Sequence, residues 1–289
     1  MFRTGRGYRR AKDEAREEAE KAYAQRGVET AFDVMRKLFL DTETAPSLGY
    51  FYGRRDLYVS PDQIVHNGFF LCFQAALDDG PVFTQSLRGL GQIGPEDDKP
   101  LVERMVKLIE SADVVIAHNA DRFDLARLSA RLASHGMKPF QPPAVVDTLK
   151  ACRRFFRFEA NSLDSVCQEL GIDRKFHSGG FETSLACMRG EESAWEKLIS
   201  YGIKDVELLR DLYKRILPWI SNHPNENLYN TSGQSCCPKC GSLDIEWRGT
   251  RHTQTMSYAR FRCRACGGWG SDRKNSLDKE KKEAIVKNI

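Results

Sequence analysis

Five of the nine cysteines lie between residues 236 and 266. Four of them make two C-x-x-C pairs, Cys237 and Cys240 in "CCPKCGS" and Cys263 and Cys266 in "FRCRACGG", with 22 residues between the pairs. Nothing else in the chain restricts the fold so tightly. Two short knuckles, each followed by glycine, can bring four thiolates to one point and close a tetrahedron around one Zn²⁺. In a reducing compartment such a cluster means metal more often than disulfides. The stretch between the pairs, "SLDIEWRGTRHTQTMSYARFRC", reads as strand, loop, strand. Together they indicate a zinc ribbon over residues 236–275, followed by a basic tail at 276–289. A module this small buries little core, so metal would supply much of its folding energy. Cys236 is an alternative to Cys237, although the CPxCG form favours Cys237. His252 falls in the expected loop and is not taken as a ligand.

Charge follows the same division. From Cys236 to the end there are 12 Lys/Arg and 6 Asp/Glu, or +6, and the whole chain carries +4, so the first 235 residues carry 4 − 6 = −2. A basic module on a slightly acidic body suits a polyanionic partner, or is simply solvated. Its Arg248, Arg251, Arg260, Arg262 and Arg264 alternate with Trp247, Tyr258, Phe261 and Trp269. Cations beside aromatics fit single-stranded nucleic acid. Two other readings stay open: the aromatics are the ribbon's own core, or the ribbon docks on protein. A turn-rich segment, "SNHPNENLYNTSGQS" at 221–235, reads as the linker.

The whole chain has 41% hydrophobic and 29% charged residues, as in an ordinary soluble protein, and no apolar run long enough to span a bilayer. The chain opens on charges and shows no apolar signal-peptide core, so a cytoplasmic location is expected. Cys72, Cys152, Cys167 and Cys187 are scattered through apolar stretches and read as reduced core residues. Residues 9–26 have helical composition with almost no apolar face, a solvated helix within an extension at 1–35. Strands are expected at "KLFLDTE", at 64–77, at 81–87, at "DVVIAH" (113–118) and at "AVVDT". Helices are expected at 97–112 behind acidic capping residues, from Ala120 to Gly136 with Asn119 as a cap, near 162–170 and near 191–217. Strands followed by alternating helices and strands make a mixed α/β sheet.

Carboxylates sit at the ends of these elements. Asp41 and Glu43 follow the apolar Leu38-Phe39-Leu40, and in a strand residues i and i+2 share a face. Two such groups repel unless a proton or a cation lies between them; otherwise the strand merely ends in an acidic loop. Asp124 falls near a helix start, where an acid is also favourable to the helix dipole, and Asp121 competes with it. Tyr201 and Asp205 are four apart on one helix face, beside apolar Leu198, Val206 and Leu209. Asp147 is the leading alternative acid; Lys204 could contact phosphate but reads as an exposed helix lysine.

In this order the motifs resemble the DEDD superfamily of 3′–5′ exonucleases, which has the ribonuclease-H-like fold. Its first motif is a strand with D-x-E, here Asp41-Thr42-Glu43. Its second has a strand and then H-N and F-D, here His118-Asn119 and Phe123-Asp124. The third is Y-x-x-x-D or H-x-x-x-x-D. This chain has Tyr201 and Asp205, with Ser200 where the histidine would fall, so it is similar to the tyrosine (DEDDy) branch. "VVDT" at 145–148 and "NSLDSVCQELGI" at 161–172 resemble the connecting segments. The likeness covers about 36–219, which sets an exonuclease domain at 36–220. "SPDQIV", "GGFETSLACM" and "YGIKDVELLRDLYKRILPWISNHPN" further resemble phage and prophage exonucleases that end in a zinc ribbon.

The resemblance implies an α/β fold: a ribonuclease-H-like mixed sheet flanked by helices, with a small C-terminal ribbon. It also implies two Mg²⁺ or Mn²⁺ ions held by Asp41, Glu43, Asp124 and Asp205, with Asp41 bridging them and Tyr201 orienting the attacking water. Thr42, Asn119 and Phe123 would lie on the substrate side. The substrate would be a 3′ end, single-stranded DNA in preference to RNA, in phage-type replication or repair, with a DNA polymerase or another replication protein as a possible partner. A non-catalytic nucleic-acid binder on the same fold is the alternative.

Overall fold

The computed structural model describes residues 35–53, 59–141, 143–173, 180–230 and 232–287; the helix expected at 9–26 lies outside them. The chain divides into two compact units, whose described residues are 36–213 in the first and 35 and 214–287 in the second.

In chain order the first unit contains β1 (Lys37–Thr44), β2 (Leu48–Gly49), β3 (Ile64–His66), β4 (Phe70–Leu77), β5 (Phe83–Ser86), α1 (Lys99–Ser111), β6 (Val114–Ala117), α2 (Asp124–Ser134), β7 (Ala144–Asp147), α3 (Thr148–Phe155), α4 (Leu163–Glu169), α5 (Gly180–Met188) and α6 (Glu192–Ile216), the last running past Tyr213. Five strands form one sheet in the order β5-β4-β1-β6-β7. β1 sits at its centre, antiparallel to β4 and parallel to β6. The run 64–77 is therefore two strands. Asn67 and Gly68 interrupt it, and β3 turns away to pair with the short β2.

Burial explains the sheet. All four residues of β6 and seven of the eight in β4 are buried, as strands covered on both faces require. Leu38 and Leu40 of β1 join Leu71, Phe73 and Ala75 of β4, Met105 and Ile109 of α1 and Leu128 of α2 in one core. On the opposite face of β1, Phe39 meets Tyr213 of α6 edge-on at 5.5 Å. So α1 and α2 cover one side of β1, and α6 the other.

Helix starts depart from expectation in two places. Asp98 precedes α1 but its side chain does not cap it. The carboxylate is instead fully buried, accepting from the Phe70 amide (2.9 Å), from Arg131 Nε and Nη2 (2.8 Å each) and lying 2.6 Å from His135 Nε2. A buried carboxylate must be paired, and an arginine one helix away outbids a local amide. α2 begins at Asp124, not at Ala120. Asn119 has φ +81°, a left-handed conformation that opens a turn, and Arg122 and Phe123 donate their amides to its carbonyl at 3.2 and 3.0 Å. Asn119 is a turn residue, then, and does not cap α2. α3 and α5 were not foreseen.

The second unit holds β8 (Ile245–His252), β9 (Ser257–Cys263), β10 (Trp269–Asn275) and α7 (Lys279–Ala284), the strands forming a sheet in the order β10-β9-β8. The third strand lies beyond the second cysteine pair, and His252 ends a strand instead of occupying a loop.

Candidate active site

Register places the acids. Asp41 pairs with Gln74 of β4 and Glu43 with Cys72, so these four side chains share the face of β1 that α6 covers. On α6, Gly202 makes the approach possible: a Cβ there would lie 2.3 Å from Gln74 Oε1. Asp205, one turn on and buried, then reaches the strand end. Oxygens of Asp41, Glu43 and Asp205 all lie within 4.8 Å of one another. Three carboxylates gathered that closely are hard oxygen donors of the kind that Mg²⁺ and Mn²⁺ take. The acids weigh on their neighbours: Cys187 is pushed up to about 12, by burial first and then by the charge of Glu43.

Asp124 is not in that group. Thr42 points away from Asp41 and Glu43, and its hydroxyl donates to Asp124 Oδ1 at 2.6 Å in a buried site. Burial pushes the Asp124 carboxyl up to about 6; the Thr42 bond opposes the shift and the charge of Asp147 adds to it. Asp147 caps α3, accepting from the amides of Lys150 and Asn119 at 3.1 Å each, and its Oδ2 has no hydrogen-bond partner among the described residues. Asp121 is on the surface, paired with Lys150. Both His118 ring nitrogens are engaged, Nδ1 with Thr148 Oγ1 and Nε2 with the Asn161 carbonyl, each at 2.9 Å. Tyr201 stands one turn before Asp205 on α6 and Phe123 is exposed, with the Arg127 guanidinium 6.0 Å from its ring. Lys204 pairs with Asp173 at 2.6 Å.

Gln74 is the residue that sequence reasoning passed over. Its side chain is fully buried beside Asp41's strand position, donates weakly to Cys72 Sγ at 3.4 Å, and its Oε1 has no partner among the described residues. The signal was there: one amide inside the apolar run "FLCFQAAL".

Residues 82–217 match the family model described as the RNase_H superfamily. The first unit is ribonuclease-H-like. The match takes in Asp124, Tyr201 and Asp205, while Asp41 and Glu43 precede it. Among solved structures, the chain is similar to a family B DNA polymerase from the hyperthermophilic archaeon Pyrobaculum calidifontis, at 18% identity and a TM-score of 0.49, over 64% of this chain. It spans about a quarter (25%) of that polymerase. No curated protein matches it.

In the second unit the sulfurs of Cys237, Cys240, Cys263 and Cys266 cluster within 4.8 Å. Cys237 and Cys266 are 3.8 Å apart and Cys240 and Cys263 3.6 Å. The edge of a tetrahedron with 2.3 Å Zn–S arms is about 3.8 Å, so the donor set fits zinc. Gly241 (φ +72°) and Gly267 (φ +78°) turn each knuckle, which explains the glycine after each pair. The thiol of Cys240 and nearby amides pull the Cys237 thiol down, while Cys240, the donor in that contact, is pushed up. Cys236 points elsewhere, its thiol donating to Asn227 Oδ1 at 3.2 Å.

Proposed function

We propose that the chain is a metal-dependent 3′–5′ exonuclease of the DEDDy type, acting on single-stranded DNA ends in phage-type replication or repair, alongside a polymerase or another replication protein. One observation carries the reading. In a ribonuclease-H-like unit, three carboxylates from β1 and α6, far apart in sequence, converge within 4.8 Å. Such a group repels itself unless a proton or a cation lies between its members, and hard oxygens on three carboxylates suit a divalent cation.

Asp41, Glu43 and Asp205 would hold Mg²⁺ or Mn²⁺, which suit hard oxygen ligands, with Asp124 as the fourth acid. When bound, two such ions supply a water acidified toward neutral pH and neutralise charge on the leaving 3′ oxygen. The chain's own share is positional. Gly202 lets α6 close on Gln74, bringing Asp205 to the strand end. Tyr201, one turn before it, orients the attacking water against that carboxylate. Thr42 fixes the Asp124 carboxylate, while Asn119 and Phe123 line the substrate side. Cys237, Cys240, Cys263 and Cys266 hold one Zn²⁺ with a structural role.

The test uses 5′-labelled single-stranded DNA and RNA, incubated with the parent protein and with Asp41→Ala in Mg²⁺, Mn²⁺ or EDTA. A metal-dependent ladder shortening from the 3′ end is expected, reduced at least about 10³-fold in the variant. A better ladder on RNA reassigns the substrate. Binding without cleavage under either metal would make the protein a non-catalytic nucleic-acid binder.

A further inference from the structure

The second unit sorts its aromatic and cationic residues onto two faces of one sheet. Trp247 of β8 pairs with Phe261 of β9, and their rings meet edge-on at 5.4 Å. Phe261 and Cys263 are buried and Trp247, 49% exposed, lies at their edge, so this face holds the module's own small core. Alternation sends Tyr258, Arg260 and Arg262 to the other side. There Arg262 lies between Trp269 of β10 and Glu246 of β8, the latter shared by Arg248 and Arg264, and Arg251 of β8 lies opposite Tyr258. The Arg260 guanidinium sits 4.5 Å from the Trp269 ring centre, and Trp269 is still 46% exposed.

Ion pairing separates the arginines further. Arg264 reaches Asp244 and Glu246 at 3.8 and 3.7 Å, and Arg248 reaches Glu246 at 3.9 Å. Among the described residues, Arg251, Arg260 and Arg262 have no carboxylate within ion-pair range. Residues 245–275 hold seven Lys/Arg against two Asp/Glu, or 7 − 2 = +5.

We propose that this outward face of β8, β9 and β10 is a second nucleic-acid site, which takes a single strand by stacking a base on Trp269 and pairing phosphates with Arg251, Arg260 and Arg262. The Arg260 contact shows that the ring accepts a flat cationic plane against it, and bases stack on such rings without regard to sequence. Bases inside a duplex are already stacked and cannot do so. Charge complementarity argues for a polyanion; the core of a protein interface is poor in unpaired charge. This inference is independent of cleavage.

The experiment uses the full chain carrying Asp41→Ala, so that nothing is cut, and measures anisotropy of labelled oligo-dT and oligo-rU. Trp269→Ala and Arg262→Glu should each weaken binding about tenfold or more, and Trp269→Phe should restore most of the loss. Arg262→Ala should make the plot of log affinity against log salt shallower by about 0.7. Arg264→Ala should change affinity far less. Zinc content of one per chain in each variant establishes that the ribbon is folded. Binding within about twofold of the parent in both Trp269→Ala and Arg262→Glu overturns the site. An uncut DNA ladder with the parent protein would sink the nuclease reading and leave these results standing.

Discussion

Asp124 carries a burial cost that its bond from Thr42 offsets only in part. Its carboxyl is pushed up from the ordinary 3.8 to about 6, chiefly by burial. As pH rises from 4 to 6 the unfolded chain gives up this proton while the folded chain keeps it, so folding stability falls through that window and stays lower above it. Asp124→Asn should therefore be more resistant to urea at pH 8 without added Mg²⁺ or Mn²⁺, by about 2–3 kcal/mol, with the gain gone at pH 4. Equal midpoints for parent and variant at pH 8 would refute the burial argument. A residue that weakens the empty fold is one that sequence reasoning can name but not price. The i,i+2 rule placed Asp41 and Glu43 together. No local rule could say that Asp124 would meet Thr42 on the other face of β1.

Between elements, two contacts decide where the acids go. The first is Gly202 on α6 against Gln74 on β4. Gly202→Ala forces a Cβ into the Gln74 amide, and should cost about 1–3 kcal/mol by overpacking, together with a larger loss of nuclease activity as Asp205 is displaced. A compensating Gln74→Ala should recover part of the stability in a double-mutant cycle, whereas strictly additive effects would show that the two do not touch. The second is the Asp98 centre, which ties β4, the start of α1 and the end of α2. Removing one partner strands a buried charge, so Arg131→Met should destabilise by about 3–5 kcal/mol, read as a lower urea midpoint. Element identities were largely legible, because β1, β4 and β6 are apolar runs and α1 and α2 keep helical spacing. Boundaries failed where a side chain had a distant option: Asp98 took Arg131 over a helix amide, and Asn119 took a left-handed turn over a cap.

At the scale of the molecule the two units rely on different sources of stability. The first buries a continuous core across its sheet. The second has strands with few buried residues and depends on the four clustered sulfurs. Stripping zinc with a strong thiol-competing chelator should unfold the second unit, seen as loss of amide-exchange protection in β8, β9 and β10, while protection in β1, β4 and β6 persists. Protection that survives in β9 without metal would mean that the cysteine cluster is not what holds that sheet.

Taken alone, the sequence determined whatever depends on neighbours along the chain. Strand alternation fixed which of Asp41, Thr42 and Glu43 share a face, helical spacing put Tyr201 with Asp205, and the knuckle spacing named four ligands and their glycines. Tertiary structure decided whatever depends on which groups meet across the fold. It brought Asp205 to Asp41 and Glu43 through the absence of a side chain at Gly202, put Asp124 on Thr42, left Cys236 out of the sulfur cluster and sorted Phe261 and Trp247 onto one face of the ribbon's sheet and Tyr258 and Trp269 onto the other. Periodicity is a property of the backbone and can be read locally. Convergence requires knowing which surfaces pack, and that is settled by burial and pairing energies summed over the whole fold.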